Sequence, residues 1–252
     1  MKMEVNVRRR LFMVHLILVA LSTSLFCLVK AQDVLDVSGK DVRKGGYYRI
    51  IPAGRGNGGG ITVASIRNRT NPLVVSQHAD ESIISISTQF SPANSNENTI
   101  KISTDLNIKF TSEITLSNSS NVWRINTELI PQRYLVTVGG VEGNPGRETL
   151  SNWFKIDKYE DAYKLVYCPG VCETCSRPFC GDIGILVEGN ERVLFVGSDK
   201  PLKVTFDCIK YWDETINNYT PCPSASISNK LSALPFVKVV IWIVICYLIK
   251  LM

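Results

Sequence analysis

The sequence predicts an all-β fold, on three observations. Apolar and polar residues alternate along much of 33–212, and Val, Ile and Phe dominate the apolar positions, which is the period-two pattern of half-buried strands. Clusters of Gly, Pro and Asn separate these segments, as turns require. No segment shows a convincing amphipathic helix period. About ten to twelve short strands in about 180 residues indicate a barrel or a sandwich.

The predicted strands follow one another with little between them. Strict alternation marks segments 100–102, 106–110 and 202–206, whereas 134–138 and 193–196 are β-branched or aromatic runs. Turn residues lie at 37–39, 92–94, 139–140, 142–146 and 188–190.

Charge argues against a nucleic-acid partner. The chain has 252 residues and a net charge of +5, but residues 1–31 carry +4 and residues 230–252 carry +3. The middle of the chain therefore carries −2. A nucleic-acid-binding protein concentrates positive charge in its folded part, and this chain places it at the two ends.

Residues 1–31 are predicted to be a signal peptide. Three arginines at 8–10 precede an apolar stretch at 11–28, and residues 29–31 end in a small residue suited to cleavage. We expect the mature chain to begin near Gln32; the alternative is a membrane anchor that is never removed. Three sequons agree with secretion and predict glycosylation at Asn68, Asn118 and Asn218.

Residues 213–252 form a C-terminal extension with an apolar tail. The unbroken apolar run 239–249 is shorter than the roughly 20 residues that a spanning helix needs. Three interpretations stay open: a lipid-anchor signal that is removed, with its small residues at 224–226, a cleaved sorting propeptide, or a tail retained in the mature protein.

The cysteines predict disulfides in the last third of the chain. Of eight cysteines, Cys27 lies in the signal peptide and Cys246 in the tail. The other six are Cys168, Cys172, Cys175, Cys180, Cys208 and Cys222. A zinc site would need thiolates, usually in two separated pairs, and a redox Cys-x-x-Cys would need a strand-to-helix setting. Six cysteines in a secreted chain favour three structural disulfides.

The sequence offers little for catalysis. His78 is the only histidine left after signal removal, and its neighbours show neither a nucleophile elbow nor metal-ligand spacing. The glycine-rich segment 54–60 is followed by a strand pattern rather than by the Gly-Lys-Ser/Thr and helix of a phosphate loop, so we interpret it as a flexible loop. We expect no enzyme activity, no cofactor and no metal.

Several segments resemble a known family. Residues 34–42 and 45–50 are similar to the opening signature of the plant Kunitz (soybean-trypsin-inhibitor type) family, with Ser38 as a departure. Residues 103–110 and 122–125 resemble further strands of that family. Segments 154–169 and 180–185 resemble its miraculin-like branch. The resemblance covers about residues 33–210.

The resemblance implies a β-trefoil at residues 32–212: a six-stranded barrel capped by three hairpins, with pseudo-threefold symmetry. It also implies the disulfide Cys168–Cys180 with Cys172–Cys175 nested inside it. Cys208 and Cys222 lie beyond the family pattern, and we pair them by elimination. The implied partner is a secreted or digestive protease, and we expect the protein to be a monomer.

Members of the family inhibit serine proteases by inserting a protruding loop into the active-site cleft as an extended, substrate-like strand. The counterpart loop here lies between Phe90 and Ile102. Its expected contact residues are Pro92, Ala93, Asn94, Ser95, Asn96 and Glu97.

Two features of this loop differ from those of a trypsin inhibitor. Alignment places the specificity residue within 94–96, where neither Arg nor Lys occurs, and the nearby cation Lys101 is close to the next strand. The family usually has Asn before the Gly45-Gly46 pair, where it braces the loop from behind. Here that position is Lys44, whose ammonium cannot both donate and accept, so we expect a looser loop.

Three functions follow in order of preference. The first is a secreted inhibitor of a serine protease that is not trypsin-like, or of a cysteine protease through another loop. The second is a non-inhibitory miraculin-like protein with a storage, taste-modifying, defence or ligand-binding role, although the Gln-x-Trp motif common in sugar-binding trefoils is absent. The third is a hydrolase built on His78. We expect the protein outside the cell or in the vacuole, with membrane contact only if the tail is retained or exchanged for a lipid anchor.

Overall fold

The computed structural model describes residues 14–15, 31–111, 120–176, 178–213, 218–220 and 222. Most of the predicted signal peptide, the apolar tail and the sequon at Asn118 lie outside the described residues. No helix in the described part of the chain combines the length and the apolar character that crossing a bilayer requires.

Twelve strands form three consecutive groups of four. The first group is β1 (Tyr48–Pro52), β2 (Ile61–Ile66), β3 (Arg69–Gln77) and β4 (Ser87–Pro92). The second group is β5 (Leu106–Phe110), β6 (Trp123–Asn126), β7 (Tyr134–Val138) and β8 (Lys155–Tyr159). The third group is β9 (Ala162–Tyr167), β10 (Gly181–Glu188), β11 (Glu191–Val196) and β12 (Lys203–Cys208).

The first and last strands of each group close a six-stranded barrel. β1 pairs with β4 and with β12, β4 with β5, β8 with β9, and β9 with β12, all antiparallel. The ring closes between β5 and β8, where Leu106 and Phe154 exchange two backbone hydrogen bonds of 2.9 Å. A closed barrel leaves no sheet edge open to another chain.

The middle strands of each group form three hairpins that cap one end of the barrel. These are β2–β3, β6–β7 and β10–β11. The second strands of the hairpins also pair with one another in a triangle, β3 with β7, β7 with β11 and β11 with β3. This architecture is a β-trefoil, which confirms the expected fold.

Burial shows the threefold character that the sequence alone does not reveal. Neighbouring residues in the capping strands face two different apolar clusters. Val75, Val136 and Leu194 pack into the main core of the barrel. Val74, Leu135 and Val193 pack into a second, separate cluster. Both faces of these strands are therefore buried, and their sequences read as apolar runs rather than as alternation.

Aromatic side chains fill the main core. Phe90 and Phe206 meet edge to face, with ring centroids 5.5 Å apart, and Tyr48 and Tyr163 pack against them at 5.9 and 5.6 Å. These four side chains come from β1, β4, β9 and β12, so one aromatic contact set joins four of the six barrel strands. Edge-to-face packing adds to the stabilisation from buried area.

Three local expectations need correction. Residues 100–102 are not a strand: Thr99 and Lys101 form only isolated bridges. A 3-10 helix at Arg147–Asn152, which the sequence did not predict, precedes β8. In the glycine-rich segment, Gly59 and Gly60 allow close packing rather than flexibility, because a Cβ on either would lie within about 2 Å of backbone atoms of residues 80–85.

All six cysteines outside the signal peptide and the tail form disulfides. The pairs are Cys168–Cys180, Cys172–Cys175 and Cys208–Cys222, the same pairs that the resemblance and elimination give. The segment around Cys172 and Cys175 is a turn between β9 and β10, not a strand-to-helix junction, and its paired sulfurs provide no zinc thiolates. Beyond β12, a short hairpin of β13 (Tyr211–Asp213) and β14 (Asn218–Thr220) leads to Cys222.

Candidate functional site

The predicted contact loop projects from the barrel between β4 and β5, at the end opposite the capping hairpins. Pro92 ends β4, and Pro92, Ala93 and Glu97 are half-buried. Asn94, Ser95 and Asn96 are exposed and form the tip of the loop. The structure therefore brings the six predicted residues together on one projecting segment.

The tip is a compact turn rather than an extended strand. The backbone N–H of Glu97 donates to the carbonyl oxygen of Asn94 at 3.0 Å, which closes a β-turn over residues 94–97. The N–H of Asn96 donates to Oδ1 of Asn94 at 3.2 Å, so the Asn94 side chain stabilises the same turn. Substrate-like insertion would require this four-residue turn to open.

The base of the loop is held by the N-terminal segment of the fold. Residues 99–102 lie beside residues 32–35 and 41–44. Ile100 is fully buried, its N–H donates to the carbonyl of Val42, and its carbonyl accepts from the N–H of Val34, both at 2.8 Å. Thr99 Oγ1 donates to the Asp33 carboxylate at 2.8 Å. These hydrogen bonds between residues 99–102 and the N-terminal segment would have to break before the loop base could move.

Two tyrosines of the barrel core fix the N-terminal segment in turn. The hydroxyl of Tyr163 accepts a hydrogen bond from the N–H of Leu35 at 2.9 Å. The hydroxyl of Tyr48 accepts one from the N–H of Arg43, also at 2.9 Å. Burial raises the pKa of Tyr48 above its ordinary 10.0, and the hydrogen bond from Arg43 only partly opposes that, so the hydroxyl stays neutral at physiological pH.

Lys44 braces the loop from behind with two donors. Its backbone N–H donates to the carbonyl of Asn98 at 3.1 Å, and its ammonium Nζ donates to the carbonyl of Ser95 at 3.2 Å. The bracing position is thus occupied. However, the Lys44 ammonium can donate hydrogen bonds but cannot accept them, and the side chain is exposed to water. A single exposed hydrogen bond holds a loop less firmly than a buried amide with several partners.

The cation near the loop is already paired. Lys101 Nζ lies 2.5 Å from a carboxylate oxygen of Glu97, and only 14% of the Lys101 side chain is exposed. It therefore anchors the turn to the loop base and is not presented to a partner.

Sequence reasoning missed Glu142, which lies beside the loop. One of its oxygens accepts from Ser91 Oγ at 2.5 Å and the other from Lys109 Nζ at 2.8 Å, joining β4 to β5. Partial burial favours the protonated form. The hydrogen bonds from Lys109 and Ser91 and the charges of Lys109 and Lys44 outweigh it and lower the pKa of Glu142. Glu142 lies in a loop remote in sequence from both strands, so no local pattern could reveal it.

Asp105 links the loop to the disulfide segment. Its backbone carbonyl accepts from the N–H of Ala93 at 2.8 Å, which closes the loop base. Its carboxylate accepts from the N–H of Gly170, between Cys168 and Cys172, and lies 3.8 Å from Lys155 Nζ. Burial raises the pKa of Asp105, and the Gly170 hydrogen bond and Lys155 oppose that only in part.

Other predicted residues lie away from this loop. Asn68 is exposed in the turn between β2 and β3 with φ of 59°, a position open to a glycan, and Asn218 begins β14. His78 is half-buried just after β3. The described residues contain no group of three or more His, Cys, Asp or Glu side chains that could hold a metal.

A cleft of about 510 Å³ lies at the other end of β1, between residues 56–57 and 198–203. Its cations are already bound: Arg192 donates to Gln77 Oε1 and to the carbonyl of Asn57, and Lys203 contacts Glu160 and Asp161.

The family model for trypsin and protease inhibitors of the legume Kunitz type matches residues 34–207. The chain belongs to this Kunitz family. The match extends from the N-terminal segment that holds the loop into β12.

Named relatives of this Kunitz protein differ in what they do. Kunitz trypsin inhibitor 5 of Arabidopsis thaliana is 39% identical over 69% of this chain and 85% of its own length. Miraculin of Synsepalum dulcificum is 41% identical over 71% of this chain and 84% of its own. A solved structure of a Kunitz-type cysteine protease inhibitor from potato superposes with a TM-score of 0.62 at 29% identity, over 72% of this chain and all of that one.

Replacing Lys44 with alanine should loosen the loop tip without unfolding the barrel. The variant loses the hydrogen bond from Nζ to Ser95 but keeps the backbone bond to Asn98. We expect the amides of residues 95–97 to exchange hydrogen several-fold faster, with a change in the free energy of unfolding below about 1 kcal/mol, since the bond is exposed. Hydrogen exchange with mass spectrometry measures this. The exposed Lys40→Ala is the control, and equal exchange in both variants would contradict the bracing role.

Glu142→Gln should destabilise the protein in a pH-dependent way. Because the pKa of Glu142 is lowered by folding, its ionised form stabilises the fold above the ordinary value of 4.5, and this stabilisation is lost as pH falls through the folded-state pKa. We expect a loss below about 1 kcal/mol at pH 7, since the side chain is partly exposed, and a smaller loss at pH 3, where protonation removes part of the stabilisation. Urea denaturation at both pH values measures it. The exposed Glu173→Gln should change neither, and an equal loss at both pH values would refute the charge-based explanation.

Proposed function

We propose that this protein is a secreted inhibitor of endopeptidases, mainly serine endopeptidases, and that it presents the loop between β4 and β5 to the active-site cleft. The observation that carries the proposal is the construction of this loop. An exposed tip at 94–96 stands on a base that is hydrogen-bonded to the N-terminal segment and anchored by the buried Ile100. The family model that the chain matches is that of trypsin and protease inhibitors, which supports an inhibitor rather than an enzyme.

The base of the loop is already ordered before binding, and this would raise the affinity for a protease. A loop that is already held before docking loses less conformational entropy on binding than a free peptide does. Here only the turn over residues 94–97 has to rearrange, and it is closed by one backbone and one side-chain hydrogen bond, each worth about 0.5–1.5 kcal/mol. Contacts of an interface of about 1,600 Å² can exceed that cost.

The target is not a trypsin-like enzyme. The specificity pocket of trypsin contains a carboxylate that requires Arg or Lys from the bound loop. The tip offers Asn94, Ser95 and Asn96, and Lys101 is paired with Glu97. An uncharged side chain would leave the buried carboxylate unpaired, which is strongly unfavourable.

A protease panel tests the proposal. The purified protein is titrated against subtilisin, chymotrypsin, elastase, trypsin and papain, and then Asn94→Arg, Ser95→Arg and Asn96→Arg are compared with it. We expect inhibition of at least one serine endopeptidase other than trypsin. We also expect at least one arginine variant to inhibit trypsin about 10-fold more strongly, because a buried charge pair is restored.

Asn190→Arg is the matched control, since it adds the same charge to the exposed turn between β10 and β11. If no endopeptidase tested, in this panel or beyond it, were inhibited by the wild type or by any loop variant, the inhibitor proposal would fail.

A non-inhibitory role is the second candidate, and the compact turn favours it. A tip closed by its own hydrogen bonds is less like a substrate than an extended strand is, and miraculin lies among the similar relatives. Such a role would be storage, defence or ligand binding. A protein with no inhibition across the panel and clear binding on a glycan array would support this alternative.

We further propose that residues 1–31 are removed on secretion, that residues 32–212 form the trefoil domain, and that 213–252 are a C-terminal extension. After expression in a plant secretory host, we expect an N-terminus near Gln32 and a glycan at Asn68 that Asn68→Gln removes. Intact mass and peptide mapping measure both. A chain that kept residues 1–31 would contradict the signal peptide, and the C-terminal mass separates a removed tail from one that ends at Met252.

A further inference from the structure

Three exposed asparagines, at 94, 96 and 98, lie in or beside the loop tip, and their surroundings differ. The carbonyl oxygen and Oδ1 of Asn94 accept hydrogen bonds from Glu97 and Asn96 within the turn. The carbonyl of Asn98 accepts from the backbone N–H of Lys44. Among the described residues, neither the carboxamide nor the carbonyl oxygen of Asn96 has a hydrogen-bond partner.

The residues on both sides of Asn96 already have hydrogen-bond or ion-pair partners. The carbonyl of Ser95 accepts from Lys44 Nζ at 3.2 Å. Glu97 is tied through its N–H to Asn94 and through its carboxylate to Lys101. Asn96 is thus the residue at the apex of the loop that presents both an unpaired polar side chain and an unpaired carbonyl to a partner.

Resting on the proposed function, we infer that Asn96 fills the specificity pocket of the target. The target is then an endopeptidase that cleaves after asparagine, with a pocket that binds an uncharged carboxamide. A carboxamide carries two donor hydrogens and an acceptor oxygen, so a matching pocket must offer both kinds of partner. An apolar pocket would bind Asn96 less tightly, because a carboxamide buried without hydrogen-bond partners costs several kcal/mol.

This specificity also accounts for the neighbours of Asn96. Ser95 and Asn94 are small and uncharged, and the charge of Glu97 is neutralised by Lys101, so no free charge opposes entry of the tip into a cleft. Opening the turn during docking releases the Asn94 carbonyl but leaves the bonds of Ile100 and Asn98 to the N-terminal segment intact.

The test is inhibition of a purified asparagine-specific endopeptidase by the full-length protein, with a fluorogenic substrate. Asn96→Ala and Asn96→Asp are compared with the wild type, and Asn98→Ala is the matched control in the same loop. A site built to hydrogen-bond a group rejects analogues that lack it by large factors, so both Asn96 variants should inhibit at least about 100-fold more weakly. Asn98→Ala should stay within about 3-fold, because the backbone bond from Lys44 to residue 98 is kept. Circular dichroism and thermal unfolding confirm that all variants are folded.

Two results would overturn the inference. One is inhibition of the asparagine-specific enzyme that does not change in Asn96→Ala. The other is no inhibition of that enzyme while another protease of the panel is inhibited; in that case the proposed inhibitor function stands and only the choice of target is wrong. Absence of inhibition against every enzyme tested would reject both.

Discussion

The hydroxyl groups of Tyr48 and Tyr163 join the barrel core to the candidate site. Their rings pack against Phe90 and Phe206 inside the barrel, and their oxygens accept hydrogen bonds from the N-terminal segment. A tyrosine suits this position because its ring belongs in an apolar core while its hydroxyl needs a partner at the boundary. The same side chains therefore stabilise the fold and fix the position of the segment that carries the loop.

The backbone of the N-terminal segment then fixes the position of the loop base. The N-terminal segment pairs with residues 99–102, and Ile100 between them is buried. Lys44 lies at the end of the same segment and reaches the tip through Ser95. The loop is thus rigid at its base, where backbone pairs and burial act together, and softer at its apex, where exposed hydrogen bonds compete with water.

The charged groups around the loop form one connected arrangement. Glu142 joins β4 to β5 through Ser91 and Lys109, and the charge of Lys44 also acts on it. Asp105 closes the loop base and connects it to the segment between Cys168 and Cys172. The disulfides stabilise loops rather than the barrel, which has its own aromatic core. One of these loops donates a hydrogen bond to Asp105 and so supports the candidate site.

The sequence by itself determined the all-β class and barrel strands with one buried face, such as β12, because alternation survives wherever one face is solvated. It also located the loop, through the resemblance around residues 92–97 and 103–110. It showed in addition that the tip contains neither Arg nor Lys. Only the tertiary structure decided the pairing of residues 99–102, where a short alternating segment bonds to the N-terminal segment and not to a sheet. It also decided the roles of Glu142, Asp105 and the two tyrosines, and which asparagine is presented. These roles involve contacts between groups far apart in sequence, as with Ser91 and Glu142, which are separated by 51 residues. No local pattern encodes such contacts, because only closure of the barrel brings them within hydrogen-bonding distance.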